Sequence, residues 1–331
     1  MLDVFNNDAF NMVSLTTSLN KLPFKPARIG QMGLFQDEPI NTTVVVVEEK
    51  EGYLELLPAG ERGEPEKEMT EGRRKVRSFS VPHIPLNSTI RPEDVQGVRA
   101  FGSDDQLETV AAVVNNRLSV MRQSHEVTHE YHKIGAIKGT ILDADGTTVI
   151  YNLFTEFGVT QDTVDFVLGT AATNIKTKCL SVKRLIEDAL GAAMYDHIHC
   201  LCGSDWFDKF VSHPQVKEAY ERHENGASLR ADNRKGFTFA DITFEEYRGS
   251  VSGVSFVNTA QAHFFPVGVP GLFKQHWAPA DFMETANTLG LPVYAKQEPI
   301  SMNRGIKLHT QSNPLMLCHR PKALVKATTS T

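Results

Sequence analysis

The stretch Ser124-His125-Glu126-Val127-Thr128-His129 ends an apolar-periodic run, and its reading decides the fold. On a helix it spells His-Glu-x-x-His, the zincin motif. Residues four apart share a helical face, so His125 and His129 would reach one zinc with Glu126 as general base. A catalytic zinc needs a third protein ligand, however, and Glu130-Tyr131-His132-Lys133-Ile134-Gly135 lacks the extended His-x-x-Gly-x-x-His spacing. The match is short, and both His and Glu are common on solvated helix faces. The competing reading is the polar C-terminal end of a long helix, where His and Lys meet the negative end of the helix dipole.

Upstream residues favour that second reading. Ser103-Asp104-Asp105-Gln106 has the capping-box form, and Leu107, Val110, Ala111, Val114, Leu118 and Met121 recur at three- and four-residue steps. The helix expected over 104–133, stopped by Gly135, would span about 45 Å at 1.5 Å per residue. That is long for a compact enzyme domain and suits a structural spine. No metal, no cofactor and no catalytic residue is expected.

Composition narrows the function classes. A chain of 331 residues with 41% hydrophobic and 22% charged residues is a folded protein of two or three domains. Its net charge of −6 argues against a general nucleic-acid binder and suits a surface lying near packaged polyanion without sticking to it. The start Met1-Leu2-Asp3-Val4-Phe5-Asn6 has no signal-peptide pattern, and no stretch approaches the roughly 20 apolar residues that span a bilayer. Cys179, Cys200, Cys202 and Cys318 are too irregularly spaced for a disulfide framework, which points to a reducing cytosol.

Before the helix, residues 1–40 are polar and mixed. Leu22-Pro23-Phe24 and Ile29 to Phe35 are apolar anchors without helical period, as expected of an arm that lies on something else. The β-branched run Thr42 to Glu49 is a strand, Tyr53 to Leu57 a second run, and Arg77 to Val81 a returning strand. Between them, residues 58–75 are charged and rich in Gly and Pro, with Glu64, Glu66, Glu68 and Glu71 followed by Arg73, Arg74, Lys75 and Arg77. Residues 41–88 therefore read as a long hairpin with a mobile tip, marginal alone and best explained by a partner.

After the helix, Asp143-Ala144-Asp145-Gly146 sits between two β-prone runs as a hairpin turn. It also spells Asp-x-Asp-Gly-Thr, the nucleophile motif of haloacid-dehalogenase-type phosphatases. Lys138 and Gly139 interrupt the strand that motif needs, and Asp205 and Asp208 do not have the spacing of its magnesium ligands, so a surface hairpin is favoured. Helices are expected across 176–223, with Leu180, Leu185, Ala189, Ala192 and Ala193 facing inward. His197-Ile198-His199-Cys200-Leu201-Cys202 clusters four zinc-type side chains. His197 and His199 are expected to point differently, which favours small buried thiols beside an element end. Short strands follow at 237–239, 242–244 and 254–257, a loop at Gly268 to Gly271, and a long interrupted strand over 305–318.

In this order the pieces resemble the lambda-like major capsid protein E family of tailed bacteriophages. The residues carrying the resemblance are Ile137 to Asp143 with Asp145-Gly146, Ser204 to Asp208 with His213-Pro214, Phe239 to Gly249, Phe265 to Gly268, and Gln311 to Leu317. The resemblance implies an α+β Hong Kong 97-type capsid fold. It would comprise an N-terminal arm (1–40), an extended loop (41–88), a peripheral domain (89–169), an axial domain (170–300) and a C-terminal strand returning to the peripheral domain (301–331). It implies a head protein that assembles as hexamers and pentamers into an icosahedral shell enclosing double-stranded DNA, contacted non-specifically. Assembly would occur in the host bacterial cytoplasm. With no charged helical segment ahead of the arm, a separate scaffolding protein is expected, along with a portal and, as a further candidate, a decoration protein. The alternative is a metal-dependent hydrolase working through His125, Glu126 and His129, or through Asp143 and Asp145.

Overall fold

A computed structural model describes residues 28–50, 74–96, 110–191, 193–223, 236–251 and 253–330. Helix α1 (Arg28–Gln31) and strand β1 (Gln36–Pro39) lead into a hairpin of β2 (Val44–Lys50) and β3 (Arg74–Ser80), then β4 (Ile84–Ile90). The long helix α2 (Val110–Lys138) feeds a second hairpin, β5 (Thr140–Leu142) with β6 (Val149–Asn152), then helix α3 (Leu153–Phe157) and β7 (Asp162–Asp165). Next come α4 (Ile175–Leu190), β8 (His197–Cys202), α5 (Ser204–Ser212) and α6 (Pro214–His223). The chain continues through β9 (Phe237–Phe239), β10 (Ile242–Glu246), β11 (Ser250–Val251), β12 (Val254–Ser255) and β13 (Ala262–Val267). It finishes with β14 (Phe273–Trp277), β15 (Tyr294–Pro299), β16 (Ile306–Ser312), β17 (Pro314–Cys318) and β18 (Val325–Thr328).

Helix α2 is the spine, but it ends later than its sequence suggests. It runs through Gly135 to Lys138, whereas 104–109 and the Ser103–Gln106 capping box lie outside the described residues. Gly135 serves packing rather than termination: a Cβ there would sit 3.0 Å from the Ile141 Cα, so its absence lets β5 fold back on the helix. Gly139 supplies the stop, with φ +77 against the Phe154 ring. Along its length α2 bridges two cores. Val114, Leu118 and Met121 pack on Ile90, Val293, Ala295 and Leu308, and more than three turns further on, Ile134 and Ile137 join a cluster with Phe79, Leu315 and Leu317.

Three larger sheets surround it: β7-β18-β13-β8-β10-β9, β1-β14-β17 and β15-β16-β4. Their partners cross the boundaries expected from sequence. Strand β4, part of the expected loop 41–88, pairs with β16 along Ile90↔Ile306 to Ile84↔Ser312. Strand β7, expected in the peripheral segment, joins the six-stranded sheet through β18, and β18 itself returns there. Strands β14 and β15, placed in the axial segment, pair elsewhere.

The six-stranded sheet is covered by α4, whose buried stripe is Ile175, Cys179, Val182, Ile186 and Leu190. This corrects the expected face: Leu180 is exposed, Leu185, Ala189 and Ala193 are only half-buried, and Ala192 lies outside the described residues. Below it, Trp206, Phe210 and Phe244 stack, with Phe210 and Phe244 ring centroids 4.2 Å apart, and Phe264 meets Trp206 and Phe244 edge-on.

Candidate functional site

The His-Glu-x-x-His side chains are not on a solvated face. His125 and His129 are buried against β16, 6.4 Å apart between ring centroids. Thr310 donates its hydroxyl to the Leu86 carbonyl and Ser312 to the Pro292 carbonyl, leaving each oxygen to accept from a histidine. His125 Nε2 donates to Thr310 (3.0 Å) and His129 Nε2 to Ser312 (2.7 Å), so neither Nε2 lone pair is available to a metal. Glu126 turns away and accepts from Arg122 Nε at 2.7 Å. Burial lowers the His125 pKa to about 4 and that of His129 well below its ordinary value. Among the described residues no group of three or more His, Cys, Asp or Glu is placed to hold a metal ion. Metal analysis of the purified protein should find no stoichiometric zinc; zinc lost on His129→Ala would contradict this.

The other two motifs are also structural. Asp145 accepts from the amides of Thr147 (2.9 Å) and Thr148 (2.8 Å) in the exposed β5–β6 turn. Hydrogen bonds from the Thr148 hydroxyl and these amides hold its carboxyl far below the usual range. The Asp143 side chain is exposed and accepts from the Ala144 amide (2.8 Å). Asp143→Asn should therefore shift stability by no more than about 0.5 kcal/mol and leave assembly intact, checked by thermal unfolding and electron microscopy. His197 to Cys202 form strand β8 in mid-sheet, not an element end. Contrary to expectation, His197 and His199 share a face, and Cys200 and Cys202 share the opposite one with Sγ atoms 3.5 Å apart. Burial raises the Cys200 thiol well above its ordinary pKa.

Sequence reading missed a latch at helix α1. Arg28 donates through Nε (2.5 Å) and Nη2 (2.7 Å) to the buried Glu245 on β10, which His199 also approaches at 3.2 Å. Burial pushes the Glu245 pKa up, but the hydrogen bonds from His199 and Arg28 outweigh it and the net direction is down. Glu130 on α2 accepts from the Ile29 amide (2.7 Å) and the Gly30 amide (3.2 Å), so helix α1 is tied to spine and sheet together. Ile29 is fully buried in the same subunit, which corrects the expectation that this anchor needs a neighbour. Local spacing carries no signal for it, because the partners lie on different elements far apart in the chain.

The β2–β3 hairpin divides its side chains by the period of the strand. Val45, Val47 and Phe79 are buried on the subunit's own core, while Val44, Val46 and Val76 face out at 40%, 58% and 62% exposure. Arg77, at the start of the returning strand expected from sequence, donates to the Glu156 (2.8 Å) and Phe157 (3.0 Å) carbonyls at the end of α3. Of the tip expected over 58–75, residues 58–73 lie outside the described residues, as does the strand expected at Tyr53 to Leu57, while Arg74 and Lys75 begin β3.

With no catalytic constellation at the motifs and an apolar strand face left open, the match to known proteins is decisive. The family model described as phage major capsid protein E covers residues 11–329. The chain belongs to the phage major capsid protein E family. It is similar to the major capsid protein of Pseudomonas phage KPP10, with 27% identity over 342 residues and 96% of each chain covered. In structure it is similar to a candidate capsid protein of an E. coli CFT073 prophage, at TM-score 0.59 and 10% identity over 97% of this chain and 99% of that one. It is also similar to the mature capsid subunit of bacteriophage PhiM1, at TM-score 0.51 and 11% identity over 90% and 85%. The fold is the α+β Hong Kong 97-type capsid fold. As a phage major capsid protein the chain is a structural component of the virion, building the shell from copies of itself, and its family is not one of enzymes. No helix of the described residues is long and apolar enough to cross a membrane.

Proposed function

We propose that the chain tiles an icosahedral shell as hexamers and pentamers around double-stranded DNA, and that copies clasp one another through the β2–β3 hairpin and the arm. The observation that carries this is the two-sided hairpin: its inner valines are buried at home, and its outer valines have nothing to cover them among the described residues. Covering Val44, Val46 and Val76 contributes about 1 kcal/mol each, and a closed shell repeats that contact in every copy. The negative net charge keeps the contact with packaged DNA non-specific.

In this account residues 1–40 are the arm, 41–88 the extended loop, 89–169 the peripheral segment, 170–300 the axial segment and 301–331 the return. A separate scaffolding protein guides closure in the host cytoplasm, a portal occupies one vertex, and a decoration protein is a further partner. No residue is catalytic and no metal or cofactor is held. The test uses the basic residues at the base of the charged tip, of which Arg74 and Lys75 begin β3. Reversing Arg73, Arg74 and Lys75 to Glu should leave a folded subunit by circular dichroism that fails to close shells by electron microscopy. Normal particles from that variant would remove the tip from the clasp.

A further inference from the structure

Helix α1 joins two buried carboxylates that belong to different parts of the fold. Glu130 lies on the spine α2 and is 3% exposed, and Glu245 lies on β10 of the six-stranded sheet and is 6% exposed. Direct contact between the two parts is loose at this point: the Tyr247 hydroxyl, just past β10, stands 3.4 Å from Glu130. The shorter contacts pass through α1. Its Ile29 and Gly30 amides donate to the two oxygens of Glu130, and Arg28 donates from Nε and Nη2 to the two oxygens of Glu245. Between these ties Ile29 wedges into a cluster shared by Tyr131 and Ile134 of the spine and Leu201 and Phe265 of the sheet. A helix of four residues has no stability of its own, so these contacts hold it in place. A two-pronged pairing of Arg with a carboxylate fixes direction as well as distance. Undoing it strands a buried charge, which is strongly unfavourable.

We infer that α1 is a strap that sets the angle of the six-stranded sheet on the spine, with Arg28 as the positioning residue, and that this angle fixes the diameter at which the shell closes. This rests on the reading that one chain fills both five-fold and six-fold rings. Shell curvature is the tilt between neighbouring copies, and rings close only if the rotation from one copy to the next is right. A copy whose two parts can shift against each other passes that slack into every contact it makes. With the strap fastened, the copies share one shape and close at one diameter. With it undone, several curvatures satisfy the same intersubunit contacts.

Particle sizing by electron microscopy tests it, under conditions in which the wild-type chain closes shells. Arg28→Ala combined with Glu245→Gln removes the fork without stranding a charge, and circular dichroism checks that the subunit stays folded. Val182→Ala, buried on α4 against the opposite face of the same sheet, is the control for lost stability alone. Expected from the double variant are shells of several diameters, with the fraction at the wild-type diameter cut several-fold. The control should lower the yield and keep one diameter. Shells of the single wild-type diameter from the double variant overturn the inference, as does an equal spread from the control. A folded double variant that builds no particles also overturns it, because α1 would then serve association rather than angle. Should the double variant fail to fold, Arg28→Lys decides: it keeps a charge beside Glu245 but loses the fork, and a single diameter from it is again contrary. Wild-type protein that forms tubes and no closed shells would instead defeat the parent reading.

Discussion

Acidifying the unassembled subunit from pH 7 to pH 4.5 is expected to remove most of its stability. Burial holds His125 and His132 at about 4 and His263 at about 3, with His129 lower than its ordinary value by the same cause. In the unfolded chain each titrates near about 6.5. Between those limits the unfolded chain binds more protons than the folded one, so stability falls with pH, by up to about 1.4 kcal/mol per pH unit for each histidine. The loss begins near pH 6.5; the part due to His125 and His132 levels off near pH 4, where those rings also take up protons in the folded state, and the part due to His263 continues toward about 3. Glu130 acts in the opposite direction. Burial raises its pKa despite the amides of Ile29 and Gly30, so protonation relieves a cost in the same window. It is one group against these four, and burial lowers His276 and His319 as well. Even half the maximal slope consumes several kcal/mol of a total that is typically about 5–15. Thermal unfolding measured from pH 8 to pH 4 checks this, and a combined His125→Asn, His129→Gln variant should flatten the curve. Stability that holds level down to pH 5 would show that these histidines are not buried as neutral rings.

A single charge on the outer face of the hairpin should abolish shells without unfolding the subunit. Val46→Glu places a carboxylate on an exposed side chain, so its cost to the free subunit is about 0.5 kcal/mol or less. Buried against a neighbour, the same charge has no partner and costs several kcal/mol at every copy. Phe79→Ala is the converse case. Phe79 is fully buried on the inner face beside Tyr151 and Phe157, and its removal should cost about 3–5 kcal/mol of subunit stability. Denaturant melts and particle counts by electron microscopy separate the two. A Val46→Glu subunit that builds normal particles would place the intersubunit contact elsewhere.

Local pattern carried much of the fold. The stripe Val114, Leu118, Met121 set the spine helix, and Asp-Gly set the β5–β6 hairpin, because both depend on neighbours within a few residues. Features decided by distant chain were not legible. The histidines are buried because Thr310 and Ser312, 185 and 183 residues away, supply their acceptors. The latch at α1 joins Arg28 to Glu245 across 217 residues. Gly135 looked like a stop because glycine usually is one, whereas its role is to admit a strand returning six residues later. In α4 two apolar stripes satisfy helical spacing, and the sheet selects Cys179 and Val182 over Leu180 and Leu185. The candidate interface lay partly within reach: β-branched alternation marks a hairpin with two apolar faces, but not which face its own core covers.

The most direct test is a cryo-electron microscopy reconstruction of particles assembled from this chain. It should show a closed shell in which Val44, Val46 and Val76 of each copy are buried against a neighbouring copy, while Val45, Val47 and Phe79 stay in the core of their own subunit. A closed shell with that valine face open to solvent in every copy would contradict the account.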